Sequence, residues 1–422
     1  MREPSWGWRL LAALTRCRRL SSQVVPRLQG PKRPAARLAG YSGPRHRGDH
    51  RRAVVSRHRV IVIGAGIAGA SAAFALARRG ADVTIADPGL DGQATQASAG
   101  IIAPWASSSE GPFYDLYAAG AAYYPQVIAL LAEAGVERTD YRRTGALIVH
   151  ADPARLDEEQ ARAEARARAA GDVAGEVSRL GGDDVRALVP VLAPELEGVF
   201  ISGGARVDGR TMRDALLAGA ERHGARRLPG RARLLPRPHG APRVEAGSQV
   251  LEADDVVVAA GAWAGDLLAP LGLRPAVEPQ RGQITHLRVE GVDTSGWPSV
   301  LPLSHHYLVA FDDSRVAVGA TRETGSGFDP RVTARGQWEV LSDAFSIAPG
   351  LADATLIETR VGLRPLPSGG LPVVGALPRM PGVHVVTGFG AAGLTMAPIT
   401  GDALARAILD GETPAELAPF AP

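Results

Sequence analysis

Cysteine occurs once in the 422 residues, at Cys17, and lysine once, at Lys32. Both lie before residue 58. The body of the chain therefore excludes internal disulfides, cysteine metal clusters and a thiol nucleophile. No metal-ligating set is read anywhere in the sequence. Nearly every positive charge is an arginine. The apolar residues near the start (Trp6, Trp8, Leu10, Leu11, Leu14) form a segment too short to span a bilayer, so membrane contact is at most peripheral.

Charge is unevenly spread. Residues 1–57 hold thirteen arginines and Lys32 against only Glu3 and Asp49. The remainder carries 33 basic and 42 acidic residues, so the basic balance belongs to the leader. The body has no basic excess, which argues against a nucleic-acid surface. The Arg-, Pro-, Gly- and Ser-rich leader does not read as a folded domain. Three readings stand: a disordered or mis-started extension, an organelle transit peptide, or a basic arm on anionic lipid. The first is favoured, with a start near Val54 and a cytoplasmic protein.

The clearest chemistry lies just beyond it. Arg59-Val-Ile-Val-Ile-Gly64 is a strand entering Gly64-x-Gly66-x-x-Gly69, with Ile67 and Ala68 opening a small-residue helix to about Arg79. A second strand, Ala81 to Ala86, ends on Asp87, 18 residues after Gly69. This is the pattern of a dinucleotide-binding unit. Gly64 permits the tight turn, Gly66 the approach of a pyrophosphate to helix N–H groups, and Gly69 close helix–strand packing. Asp87 stands where an acid binds a ribose hydroxyl. An ADP-containing cofactor follows.

The loop Gly92 to Trp105 is small and polar, able to lie against a flat cofactor. Helices are expected over Tyr114–Ala134, Asp152–Ala170, Asp183–Val189 and from Asp208 to near His223. The charges of 152–170 read as a solvated face. Strands are expected near Gly145–His150 and over Val199–Val207. Asp254 to Trp263 reads as a second buried strand ending in small residues, with a helix to Leu271. Residues 272–358 alternate as antiparallel strands around Gln280–Leu287, His305–Ala310 and Arg315–Thr321. Val383 to Thr387 then enters a second glycine turn, Gly388, Gly390 and Gly393, and a helix from about Leu394 to Leu409. The fold class expected is α/β: a Rossmann-like domain (58–115, 198–271, 360–422) interrupted by an antiparallel-sheet substrate domain (116–197, 272–359).

Five motifs in this order carry a resemblance. They are the glycine fingerprint; Ala94-Thr…Ser-Ala-Gly100; Val256-Val-Val-Ala-Ala-Gly-Ala-Trp263; Tyr307-Leu-Val…Val-Gly-Ala-Thr321 with Gly327-Phe-Asp329; and Gly362-Leu-Arg-Pro…Leu-Pro-Val-Val-Gly375 with the terminal turn. Over residues 58–421 the chain resembles the D-amino acid oxidase-like family of FAD-dependent oxidoreductases, nearest glycine oxidase and D-amino-acid dehydrogenase. The resemblance implies FAD, non-covalent because the body has no cysteine for a thioether. Its pyrophosphate would lie at Gly64–Gly69 and its ribose on Asp87. Backbone near Arg231–Leu234 would meet the adenine. The flavin would be enclosed by Ala94, Thr95, Ser98, Ala99, Gly100 and Ile101, by Gly261 and Trp263, and by the turn Gly388, Gly390, Ala391, Ala392, Gly393, Leu394 and Thr395.

It further implies oxidation of a C–N bond by hydride transfer to flavin N5, giving an imine that hydrolyses. The substrate would be a small amino acid or secondary amine. Arg364 holds the family's substrate-arginine position and suits a carboxylate. Tyr307 and His305 fall where the family lines its pocket. Glycine oxidases carry a second arginine where this chain has Ala391, and Arg322 is a candidate replacement. Arg281 and Gln283 read as structural hydrogen-bonders. The missing lysine removes the oxygen-activating residue of sarcosine-oxidase-like members. The acceptor is thus open among oxygen, a quinone and a carrier protein, with a tilt toward dehydrogenase. A flavin-bearing subunit of a larger electron-transfer complex is the alternative.

Overall fold

The strand Arg59–Ile63 is buried from Val60 onward because both its faces are apolar. Such a strand can pair on both edges, and it does, in parallel, with Asp82–Asp87 and Asp255–Val258. These three form the centre of a six-stranded sheet. Its order continues to Arg226–Pro229 on one side and to Val383–Thr387, then Val373–Ala376, on the other. Only the last pairing is antiparallel. After Arg59–Ile63 the chain passes to one neighbour and only later builds the other, so a crevice opens beyond the C-terminal ends of these strands, lined by Gly64 and Ala259. That is where a parallel sheet binds its ligand. The computed structural model describes residues 57–235, 242–273, 275–412 and 414–422. The readings of the leader fall, apart from Arg57, outside those residues.

The first helix, Ile67–Arg78, buries all but a few of its side chains. Its alanines allow a close approach by two neighbours, Gly209–Arg222 and Gly393–Asp410. Large apolar side chains such as Leu76, Val62 and Leu404 fill what is left. Each contributes about 1.5–3 kcal/mol by leaving water.

A second, larger sheet is mainly antiparallel. From one edge it runs Glu323–Thr324, Val277–Arg288, Arg315–Gly319, Tyr307–Ala310, Ser299–Pro302, Ala146–His150, Glu197–Ile201 and Val177–Leu180. Ser299–Pro302 and Ala146–His150 pair in parallel. The long strand Thr355–Pro367 pairs along Val277–Arg288, from Val277↔Pro367 to Arg288↔Thr355. The architecture is thus mixed α/β, with a parallel and an antiparallel sheet. Sheet membership crosses two boundaries drawn from the sequence. Glu197–Ile201 and the second half of Thr355–Pro367 lie in the antiparallel sheet. The expected strand 199–207 is two strands, Glu197–Ile201 and Ala205–Arg206, because Ser202–Gly204 turns. Residues 272–358 also hold a helix absent from the sequence reading, Ala334–Ile347, capped by the Thr333 hydroxyl. No described helix is long and apolar enough to cross a membrane.

Candidate active site

The crevice between the two sheets is a single cavity of about 1300 Å³. Its nucleotide end is built by Gly64, whose φ of +107° few side chains adopt. A Cβ there would also stand 2.3 Å from the Ala259 carbonyl oxygen. Gly69 seals the turn, since a Cβ would lie 1.9 Å from the Gly64 oxygen. Gly66 differs. Its φ is −68°, and a Cβ would meet nothing of the protein closer than 3.4 Å. The fold does not need a glycine there; a ligand against the backbone does.

Asp87 lines the same end, but much of its carboxylate is used within the protein. It accepts hydrogen bonds from Ala65 N and Gly89 N, both at 2.6 Å, and from the Gln93 amide at 3.1 Å. It thereby fixes the glycine turn as well as facing the cavity. Thr95 accepts a hydrogen bond from Ile67 N at 2.9 Å, taking one of the free donors of the first helix. Arg231, Ala232 and Arg233 close this end from the small sheet of Ala232–Leu235, Arg243–Ala246 and Gln249–Glu252.

The middle of the cavity is walled by Ile67 and Ala68, by Ala94, Ser98, Ala99, Gly100 and Ile101, by Gly261 and Trp263, and by Gly390, Ala391, Gly393 and Leu394. Trp263 stacks on Phe328 at 5.4 Å, which holds the indole in place. Four residues named from the sequence do not reach the wall. Gly69 is inside the turn. Gly388 shapes the chain against Pro372. Ala392 is packed in the core. Thr395 is turned inward, its hydroxyl donating to the Ile101 carbonyl.

The far end carries the charges. Arg364 extends from the long strand across Gly282, where a Cβ would lie 2.4 Å from both terminal guanidinium nitrogens. The guanidinium donates to the Thr321 carbonyl at 3.0 Å and lies beside the Tyr307 hydroxyl. No described carboxylate forms an ion pair with it. The nearest acid acting on it, Glu323, is already engaged by Arg281, Gln283 and Thr321. Burial lowers the Arg364 pKa, the neighbouring Arg322 adds to this, and Tyr307 opposes it. The Tyr307 pKa is raised by burial, against the pull of both arginines. A guanidinium only donates, so toward it the Tyr307 oxygen can act only as an acceptor, which leaves the phenolic proton for another partner. Arg322 is on the cavity wall and exposed.

Arg281 and Gln283 lie outside the cavity wall. Arg281 pairs with Glu323 at 2.7 Å and Asp329 at 2.8 Å. Buried Gln283 donates to Glu323 and Thr333 and accepts from Thr333 N. His305 is on the wall but stands 3.9 Å from Glu339, facing a helix as much as the cavity. His306 beside it is buried, which lowers its pKa, while Asp343 pulls it upward.

One stretch read from the sequence as a solvated face is corrected. In the helix Pro153–Ala170, Glu159 is buried with Leu156 and Ala163, and Arg155, Glu159 and Arg162 border the cavity. The signal was present: Glu159 falls three residues after Leu156 and four before Ala163, on the inward stripe. Tyr117, also on this side, has its hydroxyl pushed up to about 12 by burial, against a hydrogen bond with Thr395 that lowers it.

A chamber with a nucleotide cradle at one end and, at the other, a half-buried arginine that pairs with no described carboxylate defines a dinucleotide-dependent oxidoreductase. Sequence comparison narrows the class: the DAO family model, described as FAD dependent oxidoreductase, matches residues 59–407, and the chain belongs to that family. A 364-residue alignment with the oxidoreductase YurR of Bacillus subtilis gives 44% identity, over 86% of this chain and 98% of that one. Glycine oxidase of Pseudomonas putida is 31% identical over 86% of this chain and 98% of its own. Among solved structures, iminodiacetate oxidase from Chelativorans sp. BNC1 is 48% identical. It superposes with a TM-score of 0.83 over 86% of this chain and 99% of that one. Glycine oxidase from Geobacillus kaustophilus is 26% identical, with a TM-score of 0.75 over 86% and 98%.

The cofactor is FAD, and the residues present fit it. The cavity is larger than a drug-sized site of about 300–1,000 Å³. Its Gly66 backbone is bare toward the cavity for no reason internal to the fold. Its middle walls are small side chains, with one immobilised indole.

Proposed function

We propose that this protein oxidises the C–N bond of a small amino acid or secondary amine whose carboxylate is held by Arg364. One observation carries the reading: a half-buried guanidinium, open to the cavity and without a carboxylate partner among the described residues. An unpaired cation partly withdrawn from water carries a desolvation cost, and an anionic ligand offsets it. FAD supplies the hydride acceptor, and the oxidised product is an imine that hydrolyses.

The chain's own part is placement. Arg364 offers two parallel donors to a carboxylate, fixing one end of the substrate. Tyr307, its proton free, donates a third hydrogen bond to the same group. The Gly282 backbone supports the guanidinium from behind. No residue is assigned as general base; the amine enters unprotonated and the walls keep its carbon beside the cofactor. The candidate cofactor contacts remain those on the cavity wall, from Gly64–Ala68 through Asp87 and the two loops.

Arg322 extends the reading to a second carboxylate. Ala391 leaves the terminal turn without a cation, and Arg322 sets one near Tyr307 instead. A secondary amine with two carboxylates, such as iminodiacetate, engages both arginines; glycine engages one. The 48% identity to an iminodiacetate oxidase supports that preference.

The test is anaerobic mixing of the flavin-loaded protein with iminodiacetate, sarcosine, glycine, D-alanine and proline. Loss of the oxidised-flavin absorbance is expected with iminodiacetate first. If none of the five reduces the flavin, the substrate class is wrong. Readmitting air separates an oxidase, which reoxidises quickly, from a dehydrogenase.

A further inference from the structure

Two consecutive histidines, His305 and His306, occupy the turn between the strands Ser299–Pro302 and Tyr307–Ala310. The turn is drawn tight, since His306 N donates to the Ser304 hydroxyl. Opposite stands the helix Ala334–Ile347, presenting Glu339 and Asp343 four residues apart on one face. Glu339 Oε1 is 3.9 Å from His305 Nε2 and 4.0 Å from His306 Nε2. A ligand atom from each of the three lies within 4.8 Å of the others. Asp343 Oδ2 is 2.5 Å from His306 Nε2.

From this arrangement we propose a divalent transition-metal site made by His305, His306 and Glu339, with Asp343 offering a fourth oxygen. The His306 ring makes the case. It is only 7% exposed, yet neither nitrogen has a hydrogen bond of acceptable geometry. The short approach to Asp343 is a contact without hydrogen-bond alignment. A buried imidazole left so, facing two carboxylates and a second imidazole, is arranged for a cation between them. Bonds of about 2.0–2.2 Å to nitrogen and oxygen in a tetrahedron put ligand atoms about 3.4 Å apart. The observed 3.9 and 4.0 Å are therefore within a small side-chain adjustment. Asp343, 2.5 Å from His306 Nε2, must draw back by about 1 Å to reach that spacing.

The ligand chemistry selects the metal class. Two imidazoles with carboxylate suit Zn²⁺, Co²⁺ or Ni²⁺ over Ca²⁺ or Mg²⁺. Two carboxylates would neutralise the charge. Arg322, close enough to act on His306, opposes it and keeps the affinity moderate. Entry is open, because His305, Glu339 and Asp343 are all partly exposed. A metal there ties the turn that precedes Tyr307 to the outer helix. The sequence reading contained no such site, because its ligands come from segments about thirty residues apart without a local motif.

The experiment uses the untagged, flavin-loaded full chain, stripped with a chelator and titrated with ZnCl₂ by calorimetry. CoCl₂ serves in parallel, read by its visible bands beyond the flavin absorption. One ion per chain is expected. Since even outer-shell changes cost about 10–100-fold in affinity, His305→Ala and Glu339→Gln should each weaken it at least about tenfold. Glu339 lies on a partly exposed helix face, so its variant keeps the fold testable. Absence of saturable uptake overturns the proposal. So does uptake that both variants leave unchanged, which would place the ion elsewhere on the chain.

Discussion

The most informative single change is Gly282→Ala. Its backbone sits in an ordinary strand conformation, so alanine is tolerated by the main chain itself. The new methyl would lie 2.4 Å from Nη1 and Nη2 of Arg364 and 2.5 Å from its Cζ. Carbon and nitrogen settle near 3.4 Å or more, so the guanidinium must retreat by about 1 Å. It is the far end of a long side chain, with open cavity on its other side. The stability cost is therefore small, while the geometry of carboxylate capture is spoiled. A misplacement of about 1 Å costs on the order of 100-fold in rate. The expected result is a fall of that size in kcat/KM for iminodiacetate, with flavin content and melting temperature near those of the parent. An amine lacking carboxylates, if it turns over at all, should be affected far less. Unchanged kinetics with iminodiacetate, or an equal loss on both amines, would refute the placement of Arg364 at the substrate.

Other outcomes follow from the same geometry. Arg322→Ala should raise KM for iminodiacetate by roughly tenfold, one exposed charge pair or slightly more, and leave glycine unaffected; equal effects on both would remove Arg322 from a second-carboxylate role. Gly64→Ala drives a Cβ into the Ala259 carbonyl, which is backbone and cannot yield, so the purified protein should be colourless or fail to fold; a fully yellow variant would contradict the turn. His286 is buried, and burial, then Arg360 and Arg315, lower its pKa from 6.5 to about 3. It accepts at Nδ1 from Arg315, so it is neutral in the fold. The unfolded chain takes up that proton first, so stability is full above pH 6.5 and is lost as pH falls toward 3, by at most about 1.4 kcal/mol per pH unit. His286→Gln should flatten denaturant midpoints measured across that window by one proton's worth; parallel profiles would count against it.

Much of the nucleotide end was legible in the sequence because its constraints are local. Gly64, Gly69 and Asp87 act within one turn, and each announces its role by spacing. Arg364 was legible only through resemblance, since its meaning depends on Gly282 and Thr321 in other strands. Glu159 was misread although its stripe was visible, because a charge-rich helix suggests solvent on every face. Thr395 and Ala392 were assigned to the wall from position in a motif, and a helix decides by its rotation which residues turn inward. His306 carried no local signal at all; its neighbours Glu339 and Asp343 meet it only through the packing of sheet and helix.

The strand Thr355–Pro367 gives the site a fixed ruler. Leu363 N donates to the Gly92 carbonyl, and a Cβ on Gly362 would sit 3.0 Å from that of Ala97. The next residue is Arg364. The loop beside the cofactor and the strand that carries the arginine proposed for the substrate are thus tied together by main-chain pairing at Leu363. The distance from the proposed carboxylate site to the cofactor loop is then a property of the scaffold. Substrate preference is freer to drift where side chains set the reach, as around 303–307 and 322.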